Sequence, residues 1–225
     1  MRALIFDCDG VLAETERDGH RAAFNRMFAA EGLDFEWTED DYASVLSVAG
    51  GKERLRRLCT DAFVERHGLP TEQAALDELV ALWHRRKTQI FLDLVAEGRM
   101  PSRAGVRRLA SEARAAGWRL AVASTSAVVS VEAIAEQVLG RELLGECVIA
   151  AGDMVENKKP APDIYLHAAR LLGIDAYDAV AVEDSHVGVS AAVAAGMRVV
   201  ATVSHYTADE DLTAADIVVD GLGEP

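Results

Sequence analysis

Paired carboxylates mark two places in this chain. Asp7 and Asp9 flank Cys8 and precede Gly10, directly behind the apolar run Ala3–Phe6. Glu183 and Asp184 follow a second run, Ala179–Val182, and precede Ser185. Behind a third, Leu120–Ala123, come three hydroxyls, Ser124, Thr125 and Ser126. Beyond a fourth, Cys147–Ala150, the loop ENKKPAPDIY sets Lys158 and Lys159 against Pro160. Acids crowded together repel one another unless a cation sits among them. Oxygen ligands of this kind suit a hard cation, with Mg²⁺ the natural choice. Each group also has a plain structural explanation. Serines before a helix are ordinarily N-caps, acids there favour the helix dipole, and two adjacent lysines are most often a solvated loop.

Whether those groups meet depends on the elements that carry them. Runs rich in Val, Ile, Leu and Ala recur at Ala3–Phe6, Leu120–Ala123, Cys147–Ala150, Ala179–Val182, Val199–Val203 and Ile217–Val219. They are continuous rather than alternating, the pattern of strands buried on both faces of a parallel sheet. Helical periods lie between the last five and often stop at glycine: Ala127–Leu139 before Gly140, Asp163–Leu172 before Gly173, Ser185–Ala195 before Gly196. This alternation predicts an α/β fold with a doubly wound, Rossmann-like parallel sheet. Ligands of such sheets bind beyond the carboxyl ends of the strands, so the acids, the hydroxyls and an ammonium converge on one edge.

Between the first and second runs the pattern changes. No strand is evident from about Glu16 to about Arg99, whereas Arg17–Ala30, Lys52–Arg66 and Thr71–Glu97 read as amphipathic helices. The stretch is too long for a simple crossover. Residues 16–99 are therefore expected to form an inserted α-helical cap domain, with 1–15 and 100–225 forming the core.

Composition narrows the partners. Of 225 residues, 23 are basic and 37 acidic, a net charge of −14, which leaves no fold-wide basic footprint for nucleic acid or for an anionic membrane. Three cysteines, with no Cys-x-x-Cys, suggest neither a disulfide framework nor a zinc site. No apolar run reaches the length of a membrane span. The sequence enters a strand pattern at once, so no signal or transit peptide is expected within it. A cytoplasmic protein is expected, or one of the plastid stroma if the source is photosynthetic and a transit peptide has been removed.

The segment DCDGVL at 7–12 resembles the DxDG(V/T)L signature of the haloacid dehalogenase-like (HAD) superfamily of phosphotransferases. Ser124, Lys159 before PAPDIY, and VEDS at 182–185 are similar to its other three motifs, in order and over essentially the whole chain. The resemblance implies that Asp7 is a nucleophile forming an aspartyl-phosphate, which divides one hard transfer into two easier ones. It implies that Asp9 is the general acid and base, and that Gly10 turns the chain so that both acids face one site. It implies Mg²⁺ held by Asp7, the Asp9 carbonyl and Asp184, with Glu183 nearby or acting through water. Ser124 and the N–H groups of Thr125 and Ser126 would bind phosphate, and Lys159 would add positive charge. The residue before a proline is biased to an extended conformation, so Pro160 would help to aim that lysine inward.

More narrowly, DGVLAETE, GGKER, KTQIF and KKPAPDIY resemble the CbbY-like branch of the β-phosphoglucomutase-related subgroup. That branch is associated with removing phosphate from sugar bisphosphates, notably xylulose 1,5-bisphosphate, a side-product that inhibits the carbon-fixing enzyme of the Calvin cycle. Thr15, Glu16, His20, Gly51, Lys52, Arg54 and Lys87 become substrate-binding candidates, the cations forming a second anion site for the distal phosphate. The stretch SVAGGKERLRRL would be a mobile loop, or simply a helix start with a basic face. Relative to the family pattern Gly19 is an extra residue, and ERDG is expected to absorb it before the helix begins. One residue would otherwise turn His20 by about 100°. The expected partner is a small sugar phosphate, with neither nucleic acid nor membrane, and the protein is expected to act as a monomer. Two rivals stand beside this reading: a sugar phosphomutase, and a receiver-like switch that stops at one phospho-aspartate.

Overall fold

The structure is a computed structural model that describes residues 1–223; the last two residues of the expected core segment lie outside the described residues. Two compact units divide the chain, one of Arg17–Arg99 and one of Met1–Glu16 with Met100–Pro225.

The first unit contains α1 (Ala22–Ala30), α2 (Glu39–Val45), α3 (Gly51–Leu58), α4 (Asp61–His67) and α5 (Gln73–Ala96). Among its described residues there is no strand. Its interior is aromatic: Trp37 takes Phe24 and Phe28 edge-on at 4.9 and 5.1 Å, and Phe35 meets Phe28 and Phe63 in the same way. Edge-to-face contacts of this kind add about 0.5–1.5 kcal/mol each beyond area burial.

One sequence expectation is corrected in this unit. Lys52–Arg66 is two helices, because Thr60 accepts a hydrogen bond from the Phe63 N–H at 3.3 Å and caps a new one. A threonine hydroxyl that bonds the backbone competes with helix continuation. ERDG, expected to take up the extra residue before the helix, lies in the turn that precedes α1. Glu16–Arg21 winds as a π-helical turn that runs into α1, and such a turn holds one more residue than an α-turn.

The second unit holds all six strands: β1 (Ala3–Phe6), β2 (Arg119–Ser124), β3 (Cys147–Ala151), β4 (Ala179–Glu183), β5 (Arg198–Thr202) and β6 (Ile217–Val219). They pair in parallel in the order β3-β2-β1-β4-β5-β6. Each expected run is a strand, with at most a residue's difference at an end. This is the order of a doubly wound dinucleotide-type sheet, not the 2-1-3-4-5 order of receiver domains, and its reversal lies at β1 and β4.

Four helices pack on this sheet: α6 (Val106–Ala115), α7 (Val128–Leu144), α8 (Asp163–Leu172) and α9 (His186–Ala194). Alternate strand residues sort to opposite faces. Ala3, Ile5, Ala121, Ala123, Ala179 and Ala181 share one core with Ile164 and Ala168 of α8 and Ala191 and Ala192 of α9. Alanine on both sides of that contact lets helix and sheet approach closely. Gly140, with φ 79°, ends the regular helix after Leu139 as its position suggests, although the chain resumes helical turns to Leu144. Among the described residues no helix is long and apolar enough to cross a membrane.

Candidate active site

Strand periodicity decides where Asp7 points. Ala3 and Ile5 face α8 and α9, so the next odd residue leaves β1 on that same side. Its backbone is fixed because the Asp7 N–H continues the ladder to Val182 O at 2.9 Å. Phe6 is in register with Val182, which sets Asp7 level with Glu183 on the neighbouring strand. One ligand oxygen from each of Asp7, Glu183 and Asp184 lies within 4.8 Å of the others, and all three residues are buried.

Lys159 reaches this point from the loop before α8; its peptide bond to Pro160 is cis. The buried ammonium donates to Asp7 Oδ1 and Glu183 Oε1, both at 2.6 Å, and to the Ala123 carbonyl at 3.0 Å. Its neighbour Lys158 bonds Asp153 and the Gly152 carbonyl instead. One lysine of the pair thus belongs to the acids and the other to its own loop.

Asp9 stands apart from the three gathered acids. Its carboxylate accepts from the Thr15 hydroxyl at 2.5 Å and the Ser126 hydroxyl at 2.6 Å. The Ser126 N–H, a candidate phosphate donor, is given to Ser124 Oγ at 3.1 Å. Neither serine caps α7, whose N-cap position is Ala127 and which has no side-chain cap. Ser185 does cap α9, accepting from the Gly188 N–H at 3.1 Å.

Two glycines make room for carboxylates. Gly10 has φ 86°, and a Cβ there would lie 2.0 Å from Asp184 Oδ2. It therefore serves the close approach of an acid as well as the turn. Gly188 lies against Glu183, where a Cβ would meet the carboxylate at 2.0 Å.

The electrostatics follow from burial. Asp7 is pushed up to about 8, chiefly by desolvation, with Lys159 opposing and with Glu183 and Asp9 adding to the rise. Asp184 is held well above the usual carboxylate range by burial and then by Glu183 and Asp7. Burial disfavours the charge on Lys159, yet Asp7 and Glu183 keep it well above its ordinary value. With one ammonium for three acids, ionising all of them would leave negative charge to be answered, and the donors are all hard oxygens. The set fits a divalent cation.

Three residues outside the expected site also belong to it. The Tyr165 hydroxyl donates to Glu183 Oε1 at 2.6 Å and receives Lys159 at 3.3 Å. Tyr165 stands inside the PAPDIY segment, but only the first turn of α8 shows which way it faces. The buried Ser204 side chain draws the Asp184 carboxyl down against the effect of burial, and Arg103 ties the turn after β1 to the end of β5. Reading past the end of the fifth strand, as for the other four, would have found Ser204. No signal in the sequence marks Arg103.

The candidates in the helical unit form their own cluster. His20 stacks on Phe91 with ring centroids 4.1 Å apart, and its Nδ1 lies 2.6 Å from Lys87 Nζ. That ammonium also sits over the rings of Phe24 and Phe91. Arg54 donates to the Val48 carbonyl at 2.9 Å and the Tyr42 hydroxyl at 2.8 Å. Gly51 and Lys52 stand in the first turn of α3, the helix start that is the plainer reading of this stretch. Arg56 pairs with Asp77 on an exposed face, as its bland reading has it.

Acids and a lysine gathered at the reversal point of a parallel sheet stand where folds of this class bind their ligands. A family profile described as haloacid dehalogenase-like hydrolase matches residues 1–196, and the chain belongs to that family. Its relatives are narrower in kind. A CBBY-like protein of Arabidopsis thaliana is 44% identical over 99% of this chain and 70% of its own length. Protein CbbY of Rhodobacter capsulatus is 43% identical over 96% of this chain and 91% of its own. The crystal structure of CbbY from Rhodobacter sphaeroides in complex with phosphate superposes with a TM-score of 0.86 at 42% identity, covering 100% of this chain and 96% of that one. The protein is an enzyme, a phosphatase of the HAD type.

Proposed function

We propose that this enzyme removes one phosphate from a sugar bisphosphate, with xylulose 1,5-bisphosphate the leading substrate, in a Mg²⁺-dependent reaction through a phosphorylated Asp7. The observation that carries the reading is the 2.6 Å contact between Lys159 and Asp7, with Asp184 gathered beside them. The substrate is supported by likeness alone. A mutant of the Rhodobacter sphaeroides CbbY, 41% identical to this chain, has been crystallised with xylulose 1,5-bisphosphate.

Asp7, Asp184 and the Asp9 carbonyl would hold the ion, with Glu183 beside it. When bound, Mg²⁺ screens an anionic substrate from an anionic nucleophile and stabilises charge on the phosphoryl oxygens. Asp7 attacks phosphorus as the sugar oxygen leaves, and Asp9 gives that oxygen its proton. Asp9 then takes a proton from water, which attacks the same phosphorus, breaks the Asp7–phosphorus bond and frees phosphate. The two hydroxyls on Asp9 orient it for both transfers. Ser124, the Thr125 N–H and Lys159 bind the phosphoryl oxygens. Thr15, Glu16, His20, Gly51, Lys52, Arg54 and Lys87 are assigned to the remainder of the substrate. The cations among them answer a second phosphate.

Phosphate release should be screened across sugar mono- and bisphosphates, xylulose 1,5-bisphosphate included, with Mg²⁺ and with EDTA. Steady turnover confined to Mg²⁺ and lost in Asp7→Asn is expected; turnover retained in that variant removes the nucleophile. A requirement for glucose 1,6-bisphosphate would indicate a mutase. Lys52→Ala and Arg54→Ala should slow a bisphosphate more than a small aryl phosphate, by about tenfold or more per lost charge-assisted contact. Equal slowing would sink the distal-phosphate assignment.

A further inference from the structure

We infer that Arg103 is a positioning residue for Asp184, and through it for the divalent ion; the inference rests on the proposed metal site. Arg103 lies between Met100 and α6, and its side chain is 12% exposed. One guanidinium nitrogen, Nη1, donates to the Gly10 carbonyl at 2.7 Å and to Glu14 Oε1 at 3.1 Å. The other, Nη2, donates to Thr202 Oγ1 at 3.0 Å and to the Val203 carbonyl at 2.7 Å. The Arg103 N–H is itself fixed on the Leu12 carbonyl at 2.9 Å. One planar group thus joins the turn after β1 to the end of β5, two segments distant in sequence.

Those two segments are the walls of Asp184. Gly10, whose carbonyl Arg103 holds, is the residue on which a Cβ would collide with the Asp184 carboxylate. Ser204, next after the held Val203 carbonyl, is buried, and its side chain draws the Asp184 carboxyl down against the effect of burial. Ser204 is pinned in turn by its N–H to Thr207 Oγ1 at 3.0 Å. Shifting either wall moves an acid assigned to the ion. A guanidinium presents donors in a rigid fork and serves both segments at once, whereas a lysine ammonium is a point charge on a flexible stem and does not reproduce the span. Partners that orient a ligand of this kind are typically worth 10–100-fold in metal affinity. Glu14 shares the guanidinium but touches neither wall.

The test is calorimetric titration of Mg²⁺ into metal-free protein, with folding checked by circular dichroism. Wild type should bind one ion and Asp184→Ala none. Arg103→Lys should bind about tenfold more weakly, and Thr202→Val should shift in the same direction. Glu14→Gln should stay within about twofold of wild type, since both wall contacts survive. If folded Arg103→Lys and Thr202→Val bind Mg²⁺ as wild type does, Arg103 only holds the fold together and the inference is overturned. Should Arg103→Lys not fold, the Thr202→Val titration decides. If wild type and Asp184→Ala behave alike, the metal reading fails, and this inference falls with it.

Discussion

The carboxylate of Glu183 shows how closely single atoms are assigned in this site. Oε1 receives Lys159 and Tyr165, Oε2 receives the Asp184 N–H at 3.1 Å, and both face the bare backbone of Gly188. Burying a carboxylate is costly without donors of this number and quality. Tyr165→Phe deletes one of them without changing shape. We expect kcat to fall on the order of tenfold with little change in KM, and stability to drop by about 1.5–3 kcal/mol, the worth of a hydrogen bond to a charged group. Steady-state kinetics and urea melts check both; an unchanged kcat would reduce Tyr165 to core packing. Asp7, Asp9, Ser124, Lys159 and Asp184 were legible because one rule, inspecting the residues beyond each buried strand, finds them all. Tyr165 and Arg103 were not, since their contacts depend on which face of a helix turns inward and on loops that meet only in three dimensions.

At the level of elements, α9 carries a choice against its own propensity. Gly188 is helical and replaces a better helix former, at a cost of about 1 kcal/mol relative to alanine. Gly188→Ala should nonetheless destabilise the protein by about 1–3 kcal/mol, because the added methyl meets the Glu183 carboxylate. A thermal melt above wild type would contradict the packing. Elements were legible where their pattern was continuous. The six strands announce themselves as unbroken apolar runs, and α5 as a long amphipathic stretch. The break at Thr60 and the π-turn at Glu16–Arg21 were hidden, for each is set by one side chain or one residue inside an otherwise regular period. The seven-residue α2 went unseen too, although Thr38 and Asp41 form a reciprocal cap that the sequence spells out.

For the molecule as a whole, the buried acids tie stability to pH and to metal. In the metal-free fold Asp7 keeps its proton up to about 8, whereas an unfolded aspartate releases it near about 4. The folded state therefore binds more protons than the unfolded state between those limits, and its stability falls as pH rises through them. Asp184 shifts in the same direction. Urea melts in EDTA should show stability declining from about pH 5 to pH 8, and Mg²⁺ should restore most where the decline is greatest. Metal-free stability that rises across this window would mean that the acids are not crowded as described.

The middle of the sheet has a further consequence, for synthesis. Ala3 pairs with Arg119 on one side and with Ala179 on the other, so β1 gains its second neighbour only after β2 and β3 have been made. The helical unit, by contrast, is one uninterrupted stretch of chain, and its contacts close while the central strand still waits. Deleting Ala3–Phe6 would thus remove a central strand of the sheet together with the mount of Asp7, where the loss of an outer strand would only narrow the sheet.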